Sequence, residues 1–265
     1  MRPEVGVSID PLIIEMTDLQ EVFEVLLAED MGFKHIELHT EYLDKYIGTF
    51  LKLLETTGLK YTLHVPHDAR KKVKVKLCSS LEKDIKFSDY WLIKSIDFAK
   101  DLNAKLLTIH PDRPVNSTKE KAKNVLKQHI LKALEHMDSD MKLLLENMPA
   151  DNYTITTPEE MKDFIRDVGI KQVGCTWDIA HSVLAIGSKF LEFPKILKNH
   201  IRNVHLCDVK GDNDHLPLGT GTLDLTGAVN SLSKMHYSDV INLEIVTNNP
   251  LDIVNSKSMV EKLIK

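Results

Sequence analysis

Eight short apolar, β-branched runs recur along the chain, each followed by a stretch of helical period. No other feature narrows the possible folds as far. The runs are Val5–Ile9, Lys34–Leu38, Tyr61–Val65, Leu106–Ile109, Leu143–Leu145, Gln172–Trp177, Asn203–Leu206 and Val240–Ile245. Their spacing, roughly 33 residues, is the length of a strand plus a crossover helix. The strands read as nearly continuous in apolar residues, as in Lys142-Leu-Leu-Leu-Glu146, which predicts parallel strands covered on both faces. Between them, Asp18–Met31 puts Leu19, Val22, Phe23, Leu26 and Leu27 on one stripe. Ser117–Met137 does the same with Ala122, Val125, Leu126, Ile130, Leu131 and Leu134. Thr17 with Gln20 fits a capping box, Thr157-Pro158-Glu-Glu160 places proline in the first helical turn, and Gly32, Gly58 and Gly169 are stop signals.

Eight alternations predict a single (β/α)8 barrel over residues 1–265, with no linker or low-complexity stretch dividing it. The competing doubly wound sheet would carry a glycine-rich phosphate loop after its first strand, where this chain has Ile9-Asp-Pro-Leu. Val65–Leu81 and Lys210–Leu225 are the least regular segments. Composition excludes other classes: with 43% hydrophobic and 28% charged residues, the chain is neither disordered nor fibrous. It has no apolar run of membrane-spanning length, and MRPEVGVSIDP does not read as a signal peptide. The three cysteines lack metal-ligand spacing and indicate a reducing, cytoplasmic location. A net charge of -5 argues against bulk nucleic-acid binding.

Nearly every strand run ends in a side chain that can hold a metal. Glu37 and His39 follow strand two, His64 and His67 strand three, His110 strand four and Glu146 strand five. Asp178 and His181 follow strand six, His205 and Asp208 strand seven, and Glu244 strand eight; His215 lies in the loop after strand seven. In this barrel the carboxyl ends of the strands meet at one mouth. Glu37 alone reads as a salt-bridge partner on a loop. His64, His110, Glu146, Asp178, His181, His205, His215 and Glu244 together are hard to explain without a positive charge among them. Mixed imidazole and carboxylate donors suit zinc, manganese or iron. Cys175 and Cys207 read as core, Trp177 and Met148 as walls of the site, and His67 and Lys210 as substrate-binding residues. Arg70-Lys-Lys-Val-Lys-Val-Lys76 is either a solvated edge or a phosphate-attracting rim.

The motifs Thr62-Leu-His64-Val-Pro, Leu107-Thr-Ile-His110-Pro-Asp112, Leu145-Glu146-Asn, Trp177-Asp178-Ile-Ala-His181, Val204-His205-Leu-Cys-Asp208 and Asp214-His215-Leu-Pro-Leu-Gly219-Thr-Gly221 resemble the xylose isomerase-like TIM-barrel superfamily. The resemblance runs through almost the whole chain and points to two branches. The sugar isomerase and epimerase branch implies one divalent ion on Glu146, Asp178, His205 and Glu244. It also implies Glu146 and Glu244 as acid and base, and His181 against the substrate. The endonuclease IV branch, a zinc phosphodiesterase of DNA, implies up to three ions and adds His64, His110, His181 and His215. Its aspartate two residues before the last histidine is Asn213 here, so Asp212 or Asp214 would have to replace it. After His-Val-Pro that branch places large side chains that enter the duplex, where this chain has His67 and Asp68. An aspartate is unfavourable beside phosphates. A sugar or sugar phosphate is thus the expected partner and DNA the alternative. A third possibility is a barrel that binds a ligand without catalysis.

Overall fold

A computed structural model describes residues 2–9, 29–67 and 73–264. Eight strands close into a parallel barrel: β1 (Glu4–Ser8), β2 (His35–His39), β3 (Lys60–His64), β4 (Leu106–Ile109), β5 (Lys142–Glu146), β6 (Val173–Asp178), β7 (Ile201–Leu206) and β10 (Val240–Leu243). The order around the barrel is β1-β10-β7-β6-β5-β4-β3-β2. Each expected strand is present within two residues of its predicted ends. Of the expected helix Asp18–Met31, only the end falls among the described residues, where Gly32 has φ 77. Thr17 and Gln20 lie outside them.

The strands alternate rather than run continuously apolar, which corrects the sequence reading. Val5, Val7 and Ile9, Ile36 and Leu38, Tyr61, Leu63 and Val65, Leu107 and Ile109, Val204 and Leu206 are buried in the apolar core. The alternate positions carry polar side chains that meet across the barrel. Asn203 Nδ2 donates to Glu37 Oε2 at 2.9 Å and Thr108 pairs with Thr176 at 2.8 Å. Asn242 Nδ2 donates to Asn203 Oδ1 at 3.0 Å. β2 and β7 are not neighbours, nor are β4 and β6, so the Asn203–Glu37 and Thr108–Thr176 bonds can only run through the barrel interior. Only β5, with Leu143, Leu144 and Leu145, matches the continuous apolar pattern. Gly6 is required by this packing, because a Cβ there would collide with Asn242 Oδ1 and the His35 carbonyl.

The helices end where their sequence signals place them. Thr157 accepts from the Glu160 amide while Glu160 reaches back, a complete capping box, and Gly169 closes that helix at φ 70. Thr118 caps the helix Lys119–Leu134, whose Ala122, Leu126, Ile130 and Ala133 face the core. The segment after β7 is more regular than its composition suggests. Strands β8 (Asp208–Lys210) and β9 (Asn213–Leu216) form an antiparallel hairpin, with Gly211 at φ 60 in the turn. Asp208 accepts the backbone N–H groups of Val209, Gly219, Gly221 and Leu223 at 2.8–2.9 Å, folding 208–223 into one unit. Gly221 passes so close to that carboxylate that no Cβ fits.

Candidate metal centre

The polar interior ends, at the carboxyl ends of the strands, in a ring of imidazoles and carboxylates. Glu146 is the last residue of β5 and Asp178 of β6. His205 lies near the end of β7, Glu244 just after β10. One ligand atom from each of these four lies within 4.8 Å of the others, and all four residues are buried. Asp178 Oδ2, His205 Nδ1 and Glu244 Oε2 have no hydrogen-bond partner among the described residues, although they are shielded from solvent. Unpaired buried atoms of this kind are costly. They belong to one group, and mixed N and O donors suit zinc, manganese or iron. The residues therefore fit a divalent ion.

Neighbouring groups orient each donor. Asp178 uses Oδ1 to cap the helix Ile179–Ile186, accepting the His181 amide at 2.6 Å, which leaves Oδ2 for the centre. Asn147 pins that strand end twice: its Nδ2 donates to the Asp178 carbonyl at 2.8 Å and its Oδ1 accepts the Asp178 amide at 2.9 Å. His205 holds Glu37 Oε1 at 2.8 Å through Nε2 and directs Nδ1 to Glu146 Oε2 at 3.3 Å and Glu244 Oε2 at 3.0 Å. A carboxylate behind the far ring nitrogen is the usual support of a metal-binding histidine. Glu37 thus lies inside the barrel and is not a loop residue, correcting the sequence reading.

Two further groups flank the four. His64 Nε2 and His110 Nε2 lie 3.2 and 3.1 Å from Glu146 Oε2, so Glu146 is common to both sets. On the other side are His181, Asp214 and His215, with His181 Nε2 3.7 Å and His215 Nε2 3.8 Å from the Asp214 carboxylate. His181 Nδ1 donates to the Asn147 carbonyl at 3.1 Å, and His215 Nδ1 to the Glu244 carbonyl at 3.2 Å. Asp214, not Asn213, groups with His181 and His215; Asn213 is exposed on the hairpin, opposite Lys210.

The titration of these groups shows what the ring lacks. Burial disfavours charge on His205, yet Glu37, Glu244 and Glu146 hold it well above the usual imidazole value. Burial also opposes charge on His181, but Asp178 and Glu146 raise it to about 10. Burial works against the Glu146 carboxylate, while His110 and His205 keep it well below the ordinary range. Asp178 is pushed up to about 7 by burial and by Glu146 and Glu244, against the opposing charge of His181. Protonated histidines thus supply the positive charge that a divalent ion would supply in their stead, releasing protons as it binds.

The structure brings together all eight residues expected as ligands. His67 joins them, its ring 3.7 Å from that of His110. Lys210 does not: it is exposed on the hairpin, where it pairs with Asn213. Trp177 also departs from expectation. It faces the helix layer, where its Nε1–H donates to Ser182 at 3.1 Å. Met148, expected beside it as a wall of the site, is buried. Cys175 and Cys207 are free and buried in the core, as expected. Of the basic run, residues 70–72 and the adjacent Asp68 lie outside the described residues; Lys76 pairs with Asp84 at 3.5 Å and Lys74 is exposed. No helix among the described residues is long and apolar enough to cross a membrane. Sequence reasoning gave no role to Asn147, Asn203 or Asn242. The only signal for Asn203 and Asn242 is a polar residue at an inward position of a strand, and for Asn147 its place directly after Glu146.

Similar proteins agree with this architecture. The chain is 25% identical over 234 residues to one uncharacterized protein of Methanocaldococcus jannaschii, covering 85% of this chain and 78% of the other. It is 27% identical over 264 residues to a second from the same organism, covering 92% and 90%. A D-tagatose 3-epimerase-like protein superposes with a TM-score of 0.83 at 22% identity, covering 100% of this chain and 97% of that one. The IolI protein with a bound zinc atom superposes at 0.76 with 18% identity, covering 100% and 98%. The model of the xylose isomerase-like TIM barrel matches residues 25–263. With a closed eight-stranded barrel as well, the chain belongs to the xylose isomerase-like TIM-barrel family.

Proposed function

We propose that this protein is a divalent-metal-dependent isomerase or epimerase of a sugar or sugar phosphate, working by proton transfer through an enediolate. The observation that carries the reading is the set Glu146, Asp178, His205 and Glu244, four buried donors within 4.8 Å of one another, of which Asp178, His205 and Glu244 each keep an unpaired atom. Structural neighbours named as tagatose, psicose and L-ribulose 3-epimerases support it. A divalent ion held by these four residues would supply Lewis acidity, lowering the cost of negative charge on a carbonyl oxygen. Glu146 Oε2 and Glu244 Oε2 both approach His205 Nδ1, at 3.3 and 3.0 Å, and neighbouring histidines favour the ionised form of each carboxylate. One, ionised, accepts the proton from carbon; the proton returned to the same or the opposite face comes from that carboxyl group, or from the other after it has taken a proton from water. His181, fixed through Nδ1 to the Asn147 carbonyl, presents Nε2 to a substrate hydroxyl. His67 is placed beside His110 to contact the substrate.

The test is deuterium wash-in from D2O into a panel of ketoses and ketose phosphates with manganese or cobalt. Exchange at the carbon next to the carbonyl is expected, and absence of exchange across the panel would overturn the proposal. A second reading, a zinc phosphodiesterase acting on DNA, is favoured by His64–His110–Glu146 and His181–Asp214–His215, which a single ion does not need. Elemental analysis separates the two readings. About one ion per chain supports the isomerase; two or three, with nicking of a duplex bearing an abasic site, support the hydrolase.

A further inference from the structure

His39 and His67 lie beside the centre and have no place in either mechanism's donor set. His39 ends β2, in register with His64 at the end of β3, so the barrel itself fixes the pair. The two rings stack at 4.4 Å with an interplanar angle of 1°. His67 leans on both, with ring centroids 4.9 Å from His64 and 5.3 Å from His39. One ring nitrogen from each of the three lies within 4.8 Å of the others. His39 Nδ1 lies 3.9 Å from Glu41 Oε2, which places a carboxylate charge near this group.

We propose that His39, His64 and His67 form an additional seat for a divalent ion of the borderline class, zinc, cobalt, nickel or copper. The seat shares the His64 imidazole with the His64–His110–Glu146 group. His64 Nδ1 donates to the Val65 carbonyl at 2.8 Å, which leaves a single lone pair, on Nε2. One lone pair serves one ion, so the two seats fill alternately and never together. The donors differ in kind: three imidazoles in this seat, two imidazoles and a carboxylate in the other. The all-nitrogen seat discriminates against manganese and magnesium, which prefer oxygen. Stacked rings cannot both aim a lone pair at one ion, so binding requires a turn of one ring about χ2, a broad and soft torsion for histidine.

The inference extends the centre proposed above but is read without turnover. Metal-free protein is titrated with cobalt(II) by equilibrium dialysis and visible absorption, and with copper(II) by electron paramagnetic resonance. His110→Ala weakens the inner group. This variant is expected to keep an ion with a nitrogen-only copper signature. Adding His39→Gln or His67→Gln to His110→Ala is expected to weaken that ion by about tenfold or more. Equal stoichiometry and affinity in the single and combined variants would overturn the seat. Should a combined variant fail to fold, by circular dichroism, imidazole 15N–1H spectra of the wild type decide instead. Ring nitrogens of both His39 and His67 must shift on zinc addition, and unchanged resonances refute the proposal. Asp178→Asn separately reports the four-donor site, so failure there is distinguishable from failure here.

Discussion

Glu146 is the side chain on which the centre converges. Its Oε2 lies 3.1–3.3 Å from His110, His64 and His205, and its Oε1 3.2 Å from His181. Replacing it by Gln keeps the volume but loses the charge that both flanking groups share. Glu146→Gln and Glu244→Gln are each expected to reduce kcat to background in the exchange assay. His110→Ala is expected to leave an isomerase largely active while crippling a phosphodiesterase, so comparing the three by steady-state kinetics identifies the chemistry. Equal mild effects would contradict both assignments. Glu37 acts one step removed, by holding His205. Glu37→Gln is expected to weaken metal binding by about 10- to 100-fold, measured by competition with a chelator, because such supporting carboxylates typically contribute that much. The individual ligands were legible in the sequence because their residue types are unusual at strand ends. Glu37 was misread because a lone glutamate carries no mark of the histidine it will support 168 positions later.

At the scale of elements, the hairpin and its loop do more than connect β7 to β10. Asp208 gathers four backbone N–H groups, and the unit so formed carries Asp214 and His215 to His181. Asp208→Asn would put amide N–H groups against N–H donors. It is expected to cost about 2–3 kcal/mol in denaturant unfolding, the usual consequence of leaving buried donors unpaired. It should also weaken metal binding to the group His181, Asp214 and His215 while sparing the four-donor site, which dialysis of the variant with zinc would show. Unchanged stability would mean the loop is held by other contacts. Helix boundaries were readable because caps act within a few residues, as at Thr157 and Gly169. The hairpin was not, because its order comes from a carboxylate that binds residues up to 15 positions away.

For the whole molecule, the barrel is two solvents in one sheet: apolar toward the helices, polar toward its axis. Polar groups inside are stable where they bond one another, as Glu37, Asn203 and Asn242 do. At the mouth Asp178 Oδ2, His205 Nδ1 and Glu244 Oε2 stay unpaired among the described residues, and a bound cation would complete the set. Removing metal with a chelator is therefore expected to lower Tm, and restoring it to raise stability by about 2.7 kcal/mol at a free concentration 100 times Kd. The gain should shrink as pH falls, because protons held by His205 and His181 compete with the ion. Calorimetry with and without chelator at two pH values measures both effects, and a Tm indifferent to chelation would argue against a resident ion.

The sequence by itself determined the number of barrel strands, the helix ends marked by caps at Thr157 and Gly169, and which eight residues stand as candidate donors, since these depend on local period and on residue type. The tertiary structure alone decided which face of each strand carries the polar residues, that Asp214 is the aspartate grouped with His181 and His215, and that Lys210 stays outside. It also decided that Glu37 and Asn147 serve as supports. These depend on barrel closure and on the register between strands, which set distances between residues far apart in the chain and leave no trace in any short stretch of it.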